Sequence, residues 1–272
     1  MRGPWLRSAF GLLALNALAC ASLINLPNDS PSYCARPENQ THAYCEDFDV
    51  GDAAARWSFV FNLGGTSWSI APSDDSPPNL IALASETIPP GGASAVVGFD
   101  KEFTDAGFGA LHVEADMRLV TPDGAAPDGA IGFLLITDKA GGCMALNFSS
   151  LGVGGFSLVS PTACAELTTT HATVLDDAGP DAGEIAQVLG ALPVLDKWFR
   201  IVVDVTPDGS GNGGGSLALN IIGVPTGYLA LPIAPGTLTA SGAPLVGFSN
   251  AAQPGTHAIT VEYDNVTIDL SP

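Results

Sequence analysis

The sequence predicts an all-β protein folded as a two-sheet antiparallel sandwich, and three observations carry that prediction. Apolar and polar residues alternate with period two in several segments. Gly and Pro are abundant, and no stretch holds a 3.6-residue period with good helix formers for long. Two of the clearest strands end in the same turn chemistry, Thr121-Pro122-Asp123-Gly124 and Thr206-Pro207-Asp208-Gly209, where Pro presets φ and Gly takes the positive φ that closes the turn. Many strands at short spacing without intervening helices indicate sheet packed on sheet.

The strongest strand is Leu111–Val120. Leu111, Val113, Ala115, Met117 and Leu119 face one way; His112, Glu114, Asp116 and Arg118 face the other. In Trp198–Val205, Phe199, Ile201, Val203 and Val205 share one face, and Trp198, Arg200 and Asp204 the opposite one. In the last strand, His257–Leu270, Ile259, Val261 and Tyr263 hold one phase and Val266, Ile268 and Leu270 the other. The slip at Asp264–Asn265 predicts a β-bulge or kink. Further strands are expected near 45–49, 56–62, 66–71, 79–84, 93–103, 130–138, 143–149, 154–159, 166–175, 215–222 and 244–249. The Gly-rich run from Gly209 to Gly215 continues a turn and has no helix behind it, so it does not read as a phosphate loop.

The N-terminus reads as an export signal. Arg2 and Arg7 precede an apolar run from Phe10 to Ala19, too short for a stable bilayer span, which needs about 20 residues. The run ends Ala17-Leu18-Ala19-Cys20, which resembles the lipobox of bacterial lipoproteins. That resemblance implies lipid on Cys20, a membrane-tethered partner surface and, with Ala21 following, sorting to an outer membrane or cell surface. Lipoboxes prefer a branched residue where Ala17 stands, and simple cleavage after Ala19 is the alternative. The domains expected are residues 1–19 as signal peptide, 20–43 as a polar, Pro-containing lipid-anchored spacer, and 44–272 as the folded β domain. All-β domains of that size run to about 250 residues as single units.

The chain carries 9 Lys and Arg against 28 Asp and Glu, a formal net charge of −19. Losing Arg2 and Arg7 with the leader makes it more negative. This excludes nucleic acid, whose phosphates need clustered cations. Apart from Cys20, four cysteines remain for an oxidising compartment, allowing three connectivities. Local pairing, Cys34 with Cys45 and Cys143 with Cys164, closes short loops. None of the spacings suits zinc.

Tyr44-Cys45-Glu46-Asp47-Phe48-Asp49 with Trp57, Ser76-Pro77-Pro78-Asn79-Leu80, Val113-Glu114-Ala115-Asp116-Met117-Arg118, Trp198-Phe199-Arg200-Ile201 and Tyr263-Asp264-Asn265-Val266 follow one another along the chain. Their succession resembles the concanavalin A-like lectin/glucanase (LamG-like) jelly rolls of bacterial surface lipoproteins. The resemblance implies two antiparallel sheets of six or seven strands, often with a glycan groove on one face. It also implies a structural Ca²⁺ of the kind such modules hold between an early acidic strand and the last strand, here Asp47 or Asp49 with Asp264; calcium takes 6–8 oxygens. The plainer alternative is that these acids cap turns or pair with Arg56.

Glycosidases on this fold carry E-x-D-x-x-E. Glu114 and Asp116 supply two acids, and Leu119 or Val120 stands in place of the third. Glu114 and Asp116 lie roughly 7 Å apart along one face, against about 5–5.5 Å for a retaining pair. The expectation is therefore no enzyme, and a polar strand face with cross-strand ion pairs. His112, Glu114, Asp116, Arg118 and Trp198 are the ligand-face candidates, with Trp198 as a stacking platform or, alternatively, second-sheet core. Trp57, alternating with Phe59 and Phe61, is placed in the core; Trp68 shares a phase with Ile70. The functions expected are lectin-like polysaccharide binding at the cell surface, an inert or protein-binding envelope scaffold, and, more distantly, glycoside hydrolysis.

Overall fold

In the computed structural model, residues 31–271 are described apart from 74–77, 105–108, 123–129, 139–142, 151–155, 164–194, 210–213, 223–227, 234, 236–243 and 253. The strands are β1 (Tyr44–Glu46), β2 (Phe59–Leu63), β3 (Thr66–Pro72), β4 (Asn79–Ser85), β5 (Ala95–Glu102), β6 (Ala110–Val120), β7 (Ala130–Asp138), β8 (Cys143–Ser150), β9 (Phe156–Ala163), β10 (Phe199–Pro207), β11 (Gly215–Ile222), β12 (Tyr228–Ile233), β13 (Pro244–Ala252) and β14 (Ile259–Ser271). A one-turn helix, α1 (Ala53–Arg56), precedes β2. All the pairings are antiparallel.

Two sheets form. The eight-stranded sheet runs β12-β11-β10-β6-β14-β4-β3, with β1 also on β14; the six-stranded sheet runs β2-β5-β13-β7-β8-β9. The two-sheet sandwich expected from the period-two pattern is thus the observed architecture, with one sheet slightly larger than expected.

The alternation in β6 and β10 is the reason those strands sit centrally. Leu111, Val113, Ala115, Met117 and Leu119 are buried, as are Phe199, Ile201, Val203 and Val205. Each of these side chains larger than Ala115 contributes about 1.5–3 kcal/mol when withdrawn from water. Tyr263 ties the sheets together: its hydroxyl lies 3.0 Å from the Phe133 carbonyl and 2.7 Å from that of Ser249. Complete burial disfavours the phenolate and raises its pKa well above the ordinary value.

The predicted break in β14 is present. Asp264 pairs with Asp116 and Thr267 with Glu114, so three steps on β14 oppose two on β6. Asn265 takes φ 50° there, the left-handed region that Asn tolerates. Gly64 and Gly65 both sit at φ 75° and turn the chain from β2 in the six-stranded sheet to β3 in the eight-stranded one.

Several expectations are corrected. Residues 31–43 are no free spacer. They fold back as two 3-10 turns, Tyr33–Ala35 and Asn39–Thr41, and the first is bonded to β1 through the Cys34–Cys45 disulfide. Trp57 is buried, but not by the phase assigned to it: Phe59 is 51% exposed, and Trp57 caps the end of α1 ahead of β2, which starts only at Phe59. Trp57 instead packs against Tyr44, Phe99 and Phe248 at 5.1–6.0 Å between ring centroids. The strand β12 was not expected; its Pro232 removes a ladder donor, which an edge strand tolerates. The segment 1–30, including Cys20, the strand near 166–175 and the Cys143–Cys164 pairing lie outside the described residues.

Candidate functional site

Residues directly opposite in a sheet point to the same side. The register of β14, β6, β10 and β11 therefore stacks their polar residues in rows on the outer face of the larger sheet. One row is Asp269, His112, Asp204 and Ala218. The next is Cys45, Thr267, Glu114, Val202 and Asn220. The third is Asp264, Asp116, Arg200 and Ile222. Glu262 opposite Arg118 extends the pattern.

These rows join into one network. Arg200 grips Asp116 with two donors, Nε to Oδ1 at 2.8 Å and Nη2 to Oδ2 at 3.0 Å. Its Nη1 reaches Glu114 Oε2 at 3.2 Å and the Tyr33 hydroxyl at 3.3 Å. Asn265, turned inward by the bulge, donates Nδ2 to Asp116 Oδ2 at 2.7 Å. His112 bridges two acids: Nδ1 to Asp204 Oδ1 at 2.7 Å and Nε2 to Glu114 Oε1 at 3.0 Å. With a carboxylate at each ring nitrogen, the imidazolium is the favoured form. Partial burial lowers its pKa, but the bonds to Asp204 and Glu114 outweigh this and the net shift is upward.

Arg118 turns to Glu262, and its guanidinium stands 5.0 Å over the ring of Trp198. Trp198 is half-buried on this face, so the second-sheet core role does not hold; its Nε1 is buried without a hydrogen-bond partner. At one end of the rows a cleft of about 160 Å³ is lined by His112, Asp204, Thr206, Asp269 and Ser271, among others.

The N-terminal strap runs beside these rows, from Tyr33 at Arg200 to His42 at Asp269. The disulfide fixes Cys34 above the second row, which sets Tyr33 against Arg200. Asp47 Oδ2 accepts the Cys34 N–H at 2.9 Å, and Asn39 Nδ2 holds the Tyr33 carbonyl at 2.7 Å. Further along, His42 Nδ1 meets Asp269 Oδ2 at 2.6 Å and the Ala43 N–H donates to Asp269 Oδ1 at 2.8 Å.

The expected ligand-face set is thus brought together: His112, Glu114, Asp116, Arg118 and Trp198 share one face. The cross-strand ion pairs expected of this face are present. Asp116 is matched by Arg200 from β10, and Arg118 by Glu262 from β14. Sequence reasoning did not nominate Arg200, Asp204, Asp269, Glu262, Asn265 or Tyr33. For Arg200 and Asp204 the alternation in β10 already held the signal; for Tyr33 nothing did, because its position depends on the disulfide.

The calcium arrangement does not assemble. Asp47 is spent on the Cys34 N–H, Asp49 Oδ1 accepts the Asn79 N–H at 3.2 Å, and Asp264 Oδ1 accepts the Asn265 N–H at 2.8 Å. Among the described residues no group of three His, Cys, Asp or Glu side chains converges as metal ligands. Arg56 pairs not with these acids but with buried Glu46, Nη2 to Oε1 at 2.6 Å. Burial raises the Glu46 pKa, against the Phe48 N–H and the Arg56 charge.

No protein-family model matches the chain, and no curated protein does. Solved structures share the fold. A marine PL-14 alginate lyase from Aplysia kurodai superposes with a TM-score of 0.54 at 13% identity, covering 85% of this chain and all of its own. A variant of the alginate lyase Aly36B in complex with an alginate trisaccharide gives 0.50 at 13% identity, covering 81% of this chain and 91% of its own. At such identity the likeness is one of fold, the concanavalin A-like jelly roll. It corrects the expectation of no enzyme. That expectation rested on a missing hydrolytic triplet, whereas the solved structures that share this fold are alginate lyases.

Proposed function

We propose that the protein engages a polysaccharide along the outer face of the eight-stranded sheet and processes it there. The observation that carries this reading is the network of planar polar groups, Arg200, Asp116, Glu114, His112 and Asn265, set between the rings of Tyr33 and Trp198. Sugar hydroxyls pair with planar donors and acceptors, and the apolar faces of sugar rings lie on aromatic rings. His112 is the proton-transferring group of the proposal, since its Nε2–H now rests on Glu114. The shared fold with polysaccharide-active enzymes supports the reading as analogy.

The test is retention and chain cleavage measured side by side on a panel of soluble polysaccharides. Retention that is lost in Arg200→Ala, and cleavage that is lost in His112→Ala, is the expected result. Absence of both with every polysaccharide would remove the proposal.

The protein is further proposed to work outside the cytoplasm, anchored through lipid on Cys20. The Cys34–Cys45 disulfide supports an oxidising compartment. Mass spectrometry of the mature N-terminus checks the anchor: a diacylglyceryl Cys20 is expected, and an unmodified terminus would leave the domain unanchored.

A further inference from the structure

The outer face is rich in charge, yet its charges are already spent on one another. Arg200 is held by Asp116 through two donors and by Glu114 through a third. Arg118 is held by Glu262 and lies over Trp198. His112 has a carboxylate at each ring nitrogen, and His42 turns to Asp269. At the rim, Arg36 lies 5.6 Å over the ring of Tyr33, whose ring also receives Arg200 at 5.3 Å. A substrate carboxylate arriving on the floor of this face would have to displace Asp116 or Glu114 from Arg200. Each displaced acid would then stand unpaired beside the newcomer, within a row that also holds Asp264.

The opposite sign fares no better. Glu114, Asp116, Asp204, Glu262 and Asp269 each already face a cationic or imidazole partner. A ligand ammonium would have to compete with a guanidinium that binds in bidentate fashion. Over longer range the chain's net charge of −19 repels a polyanion before contact. What the network leaves to a ligand is the second lone pair of those carboxylate oxygens that accept a single bond, Asp116 Oδ2 already accepting two, and the ring surface of Trp198 and Tyr33 that the guanidinium groups do not cover. Those are partners for hydroxyl groups and for the C–H faces of sugars, not for ions.

Resting on the polysaccharide reading above, we infer that the glycan held on this face is an uncharged polysaccharide, and that the Arg200–Asp116 pair is the residue pair that excludes polyuronates. This sets the chain apart from the alginate-acting proteins that share its fold.

The test is affinity electrophoresis of the full-length protein through gels containing laminarin or agarose (uncharged), alginate (anionic) or chitosan oligosaccharide (cationic), at about 20 and about 150 mM salt, which span strong and weak screening. Retardation by an uncharged polymer at both salt concentrations, with none by alginate or chitosan, is expected. Retardation by alginate or chitosan that fades as salt rises would overturn the inference while leaving the polysaccharide reading intact. No retardation by any polymer would overturn both. A Glu114→Gln, Asp116→Asn variant frees Arg200 of its acids. Once its circular dichroism confirms the fold, it should gain alginate retardation at low salt by about fivefold or more. A folded variant still blind to alginate would remove the Arg200–Asp116 pair as the excluding element.

Discussion

His112 takes a carboxylate on each side of its ring, and the consequence is a pH dependence with a definite sign. Its folded pKa is raised, so its contribution to stability is complete below the unfolded value of about 6.5 and is lost as pH rises through the folded value. Chemical melts of wild type and His112→Gln between mildly acidic and alkaline pH should therefore diverge most at the acid end and converge at the alkaline end. The side chain is 35% exposed, so screening holds the gap to about 1 kcal/mol. A gap that widened toward alkaline pH would reverse the assignment. Asp100 shows a pH dependence of the same sign, but as a penalty that grows with pH, not a gain that is lost. It pairs across the strands with Gly247, in space a Cβ would fill: a Cβ on Gly247 would meet Asp100 Oδ1 at 1.9 Å. That oxygen is buried without a hydrogen-bond partner, and burial pushes the carboxyl up to about 6. An acid with a raised pKa costs stability as pH climbs from its unfolded value, about 3.9, through its folded one. Asp100→Asn should leave stability little changed near pH 4 and raise it by about 2 kcal/mol above pH 7. Equal melting curves at both ends would show that the carboxyl is solvated.

Among the elements, the bulge in β14 and the N-terminal strap decide the shape of the site. The bulge was legible, because Tyr263 and Val266 belong to opposite phases of one strand and only an extra residue reconciles them. Its chemical role was not legible, since it appears only when the register sets Asn265 beside Asp116. Asn265 sits at φ 50°, where a Cβ is disfavoured. Asn265→Gly and Asn265→Ala both lose the bond to Asp116, so their difference isolates backbone strain; the Ala variant should be the less stable by about 1 kcal/mol in urea titrations. The strap was misjudged for a physical reason. Residues 31–43 have the polar, Pro-containing composition of a linker, and what docks them is one disulfide and a few bonds to distant strands. Removing the disulfide with paired Ser at Cys34 and Cys45 should cost about 2–3 kcal/mol. The same variant should expose the strap to limited proteolysis ahead of the sandwich; cleavage elsewhere first would mean that the strap is held by its other contacts.

Across the whole molecule, the sandwich was readable because period two is a property of single strands, whereas the site was readable only in part because it is a property of pairs of strands. His112, Glu114, Asp116 and Arg118 share a face by alternation alone. That Asp116 meets Arg200, 84 residues away in sequence, depends on β6 lying beside β10. Trp57 teaches the same lesson from the core. Its burial follows from its size, but its partners Phe99 and Phe248 come from β5 and β13, far along the chain, and no local pattern names them. The sheets are joined through the Tyr263 hydroxyl, and Tyr263→Phe strips the Phe133 and Ser249 carbonyls of that donor, with an expected loss of about 1–3 kcal/mol in thermal or chemical melts. The central claim, that the outer face of the eight-stranded sheet holds a polysaccharide, is tested most directly by hydrogen exchange with and without a retained uncharged glycan. Slowed exchange confined to β6, β10, β14 and the strap is the predicted result. Protection confined to the six-stranded sheet, with the Arg200 and His112 strands unchanged, would contradict it.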